Sequence, residues 1–136
     1  GGFALAAARA GFPRVTGVEV SSGAISSAIS AARHAGLSRS AASFIADDAT
    51  AWARAQSPED VPDVIVVNPP RRGIGTDLAA YLNECDAPRI IYSSCNPASL
   101  AKDLVAMPTL RPVEGRLFDM FPHTTHAEVA LLLERA

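Results

Sequence analysis

Residues 63–67, Asp-Val-Ile-Val-Val, make a continuous apolar run that Asn68, Pro69 and Pro70 cut short. A strand without polar alternation must be covered on both faces, as in a parallel sheet flanked by helices, rather than wetted on one side. Proline donates nothing to a ladder, so the strand stops before Pro69. Residues 15–20 and 89–93 read the same way, and 43–46 repeats the pattern more weakly. An α/β arrangement follows if helices separate these strands.

They do. Residues 1–10 are rich in helix formers and end at Gly11, a natural left-handed terminator. From Ser22 onward, Ile25, Ala28, Ile29 and Ala32 share one stripe of a helix that Gly36 ends. Residues 49–56 suggest a short helix, and Pro58 and Pro62 a connecting loop. Residues 76–84 read as a helix, and Asn96-Pro97 supplies a cap and first-turn proline for another reaching about Met107. Residues 113–118 and 128–134 are strands with no helix between them, which predicts an antiparallel pair at the sheet's end. With 136 residues, 49% of them hydrophobic, the chain suits one domain spanning 1–136 and built as a doubly wound sheet.

The formal charge of -2 lacks the basic surplus of a protein held mainly by phosphates. The two cysteines, Cys85 and Cys95, suggest neither a disulfide framework nor a zinc site, and no metal is expected. A reducing cytoplasm fits. The apolar runs 3–8 and 129–133 are too short to span a bilayer, and no signal peptide opens the chain, so no membrane partner is expected.

Ligands of an open parallel sheet bind beyond the carboxyl ends of its strands. Those positions here are Glu19, Asp47 and Asp48, Asn68 with Arg71 and Arg72, and Ser93 to Asn96. Glu19 suits a ribose diol, or is a solvated loop carboxylate. Gly1-Gly2-Phe3 is the remnant of a glycine-rich turn or simply a chain start. Asn68-Pro69-Pro70-Arg71 makes a stiff loop able to grip a flat base or a cofactor's charged end, and Arg72 beside it also reads as a surface charge. Cys95 follows a buried strand and precedes a helix N-terminus, which favours thiolate; the alternative is a small core residue, the reading given to Cys85. His123 and His126 lack a third metal ligand and read as loop residues that shape a pocket. Glu128 opens a strand, either as a proton-abstracting base or as a plain edge carboxylate.

Gly1-Gly2-Phe3, Val18-Glu19, Asn68 to Gly73 (NPPRRG), Ile90 to Pro97 (IIYSSCNP) and Asp119 to Glu128 (DMFPHTTHAE) together resemble the RNA uracil-5 methyltransferases, and most closely the branch acting on 23S ribosomal RNA. The resemblance implies a Rossmann-like, class I fold dependent on S-adenosylmethionine, mostly parallel with an antiparallel C-terminal pair. It implies that Gly1, Gly2 and Glu19 hold the cofactor, that Asp48 lies near the adenine, and that Asn68 lines the methyl-donor pocket. It makes Cys95 the nucleophile and Glu128 the base, with Arg71 and Arg72 as RNA contacts and RNA, 23S rRNA above all, as the partner.

The chain also departs from that family's pattern. An Asp-x-x-Cys-Gly-x-Gly run and its strand would precede Gly1, so the sheet is expected to lack its first strand and to leave neighbouring strands with unpaired edges. The fragment alone is accordingly expected to bind cofactor poorly and to show little activity. Association between copies is one way to complete such a sheet. An N-terminal RNA-binding domain, often carrying an iron–sulfur cluster, would lie in the same missing part. Two rivals remain: an RNA cytosine-5 methyltransferase, which typically has Pro-Cys where this chain has Pro69-Pro70, and a non-catalytic Rossmann-like module.

Overall fold

The computed structural model describes residues 1–120, 122–124 and 126–136; Phe121 and Thr125, within the expected 119–128 motif, lie outside the described residues. The chain resolves into two compact units, Gly1–Ala55 and Gln56–Ala136.

In the first unit, helix α1 (Gly2–Arg9) precedes strand β1 (Val15–Glu19), helix α2 (Ser22–His34), strand β2 (Ala42–Ala46) and helix α3 (Ala49–Arg54). β1 and β2 pair in parallel, from Val15 beside Ala42 to Glu19 beside Ala46. The crossover is α2, whose predicted stripe packs inward: Ile25, Ala28 and Ala32 are buried. Ser21 caps α2 by accepting from the Ala24 N–H at 3.2 Å, and Asp48 caps α3 by accepting from Ala51 at 2.8 Å.

In the second unit, strands β3 (Val64–Val67), β4 (Arg89–Ser94), β5 (Leu110–Phe118) and β6 (Glu128–Arg135) form one sheet in the order β3-β4-β6-β5. β3 and β4 are parallel, while β6 runs antiparallel to both β4 and β5. Helices α4 (Thr76–Glu84) and α5 (Pro97–Val105) link these strands, and a single 3-10 turn, Pro58–Asp60, lies in the expected proline loop. Leu82, Ile90, Tyr92, Met107 and Leu133 are fully buried in one cluster. Burial of each such side chain contributes about 1.5–3 kcal/mol. Arg135 ties the end of β6 to the end of α4, donating to the carbonyls of Leu82, Asn83 and Cys85, which the helix itself cannot satisfy.

The strand–helix alternation and the antiparallel pair are as expected, and the differences are local. β5 begins at Leu110 rather than at 113, because Pro112 does not stop a strand at the sheet's edge; the ladder instead shifts register between Pro112 and Glu114. The hydrogen-bonded strands form two sheets rather than one continuous sheet. Among the described residues β1 pairs only with β2, and β3 only with β4, so each has one edge without a partner.

Candidate active site

The pleat of β4 divides its side chains. Tyr92 and Ser94 alternate with Ser93, and Cys95 follows in a bend after the strand. In the antiparallel ladder to β6, Ser93 is level with Ala130 and Ser94 with Val129; the ladder ends there, with Cys95 next in the chain after Ser94 and Glu128 just before Val129. In the parallel ladder to β3, Val67 is level with Tyr92, so one step onward brings Asn68 level with Ser93. Register and side-chain bonds thus collect Asn68, Ser93 and Glu128 at the carboxyl ends of β3 and β4, with Cys95 two residues after Ser93 in the chain.

Side-chain bonds join three of them. Ser93 Oγ donates to Glu128 Oε1 at 2.5 Å, and Asn68 Nδ2 donates to the same oxygen at 3.4 Å and to the Ser93 carbonyl at 3.2 Å. Glu128 Oε2 makes no hydrogen bond among the described residues. Cys95 is a partly buried free thiol, one residue before the Asn96 cap of α5. Ser94 fixes the turn between them, accepting from the Asn96 N–H at 3.0 Å and donating to its carbonyl at 3.1 Å.

The loop after β3 is held from two directions. Asn96 accepts from the Ala98 N–H at 3.2 Å and donates through Nδ2 to the Arg71 carbonyl at 2.8 Å, tying the loop to the cap beside Cys95. Asp103 on α5 accepts from the Ile74 N–H at 2.9 Å and from the Tyr92 hydroxyl. Burial first, then the hydrogen bond to Asp103 and that carboxylate's charge, push the Tyr92 phenol well above the ordinary tyrosine range. Gly73 has φ +92°, and a Cβ there would overlap the Asp103 carboxylate, so backbone and packing both demand glycine. Arg71 Nη2 donates to His126 Nδ1 at 2.5 Å. Arg72 is exposed.

The residues expected to bind cofactor divide between the units. Glu19 is exposed at the end of β1, with Oε1 accepting from the Ser21 N–H at 3.0 Å. Asp48 is the N-cap of α3, a role the sequence reading missed although Asp before a run of helix formers is its signal. Gly1 caps α1, and a Cβ on it would lie 2.6 Å from Ala28 Cβ, whereas Gly2 has open space. In the second unit hydrogen bonds bring together Asn68 and Glu128 and add Ser93, which had been noted only as part of a polar run, while Cys95 follows the end of the same strand. Among the described residues no three His, Cys, Asp or Glu side chains could hold a metal ion, and no helix is long and apolar enough to cross a membrane.

A family profile described as tRNA (Uracil-5-)-methyltransferase matches residues 60–136. A 23S rRNA (uracil(747)-C(5))-methyltransferase of Pectobacterium atrosepticum is 46% identical over 136 residues, covering 100% of this chain and 35% of that protein. The enzyme of the same description from Halothiobacillus neapolitanus is 48% identical, covering 99% and 35% respectively. The crystal structure of Pyrococcus abyssi tRNA (uracil-54, C5)-methyltransferase in complex with S-adenosyl-L-homocysteine superposes with a TM-score of 0.77 at 30% identity, over 96% of this chain and 31% of that one. The chain thus spans about a third of the length of these relatives.

Strand order, helix placement and the polar face at the strand ends define a Rossmann-like methyltransferase fold. Within that class, the chain belongs to the tRNA (uracil-5-)-methyltransferase family, as its motifs led one to expect.

Proposed function

We propose that this chain carries the catalytic groups for S-adenosylmethionine-dependent methylation of uridine C5 in RNA, with 23S ribosomal RNA as substrate, and that both of its units belong to one partial catalytic domain. A cytoplasmic setting goes with that substrate. The observation that carries the reading is Glu128, bonded at Oε1 by Asn68 and Ser93 and at Oε2 by nothing among the described residues, at the end of the strand that Cys95 follows. The names of the relatives support the substrate class.

The residues present fit the cofactor's ribose end. Glu19 offers a carboxylate whose Oε2 makes no bond among the described residues and can accept a hydroxyl proton. Gly1, Gly2 and Asp48 are the remaining cofactor contacts of this reading, and Asn68 lines the pocket of the methyl donor. When bound, S-adenosylmethionine supplies an electrophilic methyl group to C5.

The chain's own residues do the rest. Uracil C5 is a weak nucleophile, and addition of the Cys95 thiolate at C6 turns the ring into an enolate with electron density at C5. After methylation Glu128 removes the C5 proton, and elimination restores Cys95. The base must leave its stack for the thiolate to reach C6, so the target is a loop or a splayed nucleotide. Arg71 and Arg72 are the proposed contacts to RNA.

The test is transfer of labelled methyl groups to 23S rRNA by the full-length protein carrying this chain. Cys95→Ala abolishes 5-methyluridine formation on this reading. A Cys95→Ala protein that transfers methyl at the wild-type rate overturns it in favour of a non-catalytic module or a different nucleophile.

A further inference from the structure

Ser93 is 4% exposed near the end of a strand whose preceding residues, Ile90, Ile91 and Tyr92, carry large apolar side chains. A β-branched hydrocarbon suits such a position better by strand propensity, and a hydroxyl this deep is costly unless it is bonded. Its bond goes to Glu128 Oε1, at 2.5 Å. The Asn68 amide reaches the same oxygen, while Oε2 takes no bond among the described residues.

We infer that Ser93 is a positioning residue for the proposed base: its hydroxyl fixes one oxygen of Glu128 so that the other faces the proton to be removed. The inference rests on the methyl-transfer reading above and specifies a step within it. In that step Glu128 takes the proton from C5. The C5–H electron pair becomes the C5–C6 double bond, and the C6–S bond breaks to release Cys95 as thiolate. Ser93 donates its hydrogen bond throughout and keeps its own proton. The carboxylate would otherwise turn about its side-chain torsions, and only a fraction of its orientations would be productive.

Because proton removal follows formation of the C6–S bond, loss of Ser93 stalls the reaction after that bond has formed. In the full-length protein carrying this chain, with 23S rRNA and S-adenosylmethionine, Ser93→Ala lowers kcat by about 10- to 100-fold, the range for one hydrogen bond to a charged group. KM for RNA and for S-adenosylmethionine falls with kcat, so that kcat/KM is unchanged, and a covalent protein–RNA complex containing the methylated base accumulates on denaturing gels. Ser93→Thr keeps the hydroxyl, restores kcat and clears the complex. A general structural defect would lower the yield of complex instead of raising it. Wild-type protein that makes no 5-methyluridine overturns both the reading of the site and the role of Ser93. Wild-type protein that does, beside a Ser93→Ala protein with the same kcat or with no accumulated complex, overturns the role of Ser93 alone.

Discussion

Replacing Gly73 by alanine strikes the loop that carries Asn68 and Arg71 at its tightest point. Two costs combine. Holding an L-residue at φ +92° costs about 1–2 kcal/mol. The added methyl group also overlaps the Asp103 carboxylate, which must move away from the Ile74 N–H and the Tyr92 hydroxyl. Losing one bond to a charged acceptor costs about 1.5–3 kcal/mol, and more where the buried Tyr92 hydroxyl is left without a partner. The sum is about 3–5 kcal/mol against the second unit. Hydrogen exchange at the core amides of β4 reads that loss where it occurs. The same substitution in an Asp103→Ala background meets no carboxylate and costs only the backbone part, so the double-mutant cycle should return a coupling of about 2–3 kcal/mol. Costs that add to within about 0.5 kcal/mol would refute the steric argument.

Tyr92 gives a pH signature. Its pKa is raised from 10.0 in the folded protein, by burial first and then by Asp103, so the stability it contributes is fully present below pH 10 and is lost as pH rises beyond it. Tyr92→Phe should be less stable at neutral pH but should lose less between neutrality and the alkaline range; parallel loss in alkaline unfolding of both proteins would show the phenol is not the titrating group. The isolated chain should bind S-adenosylmethionine more weakly than micromolar, since β1 and β3 each leave a strand edge unpaired. Micromolar affinity by calorimetry would count against that expectation.

Local patterning carried most of the fold. The apolar runs at 63–67 and 89–93, the stripe of Ile25, Ala28 and Ala32, and the Asn96-Pro97 cap are all features that neighbouring residues determine among themselves. The site was legible to the extent that its residues follow strands, which is why Asn68 and Cys95 stood out. Register was not legible, and register is what brings the Ser93 hydroxyl onto Glu128 across 35 positions of chain. The triangle of Gly73, Tyr92 and Asp103 was hidden for the same reason, since no local pattern links a loop glycine to a carboxylate 29 or more residues later. The start of β5 before Pro112 was not legible either, because a proline's meaning depends on whether its strand is central or peripheral, and strand order is a tertiary property.

That peripheral proline has a consequence for how the protein survives at high concentration. β5 is a nine-residue outer strand with Val113, Leu117 and Phe118 exposed, the kind of surface on which another chain can template fibrillar growth. Pro112 withholds an N–H from any incoming backbone, and the irregularity beside it breaks the repeat that a stacked copy would have to match. Arg111 adds a charge to the exposed edge, while Arg116 is paired with Glu114 at 3.0 Å. An irregularity of this kind in an outermost strand opposes edge-to-edge pairing of copies.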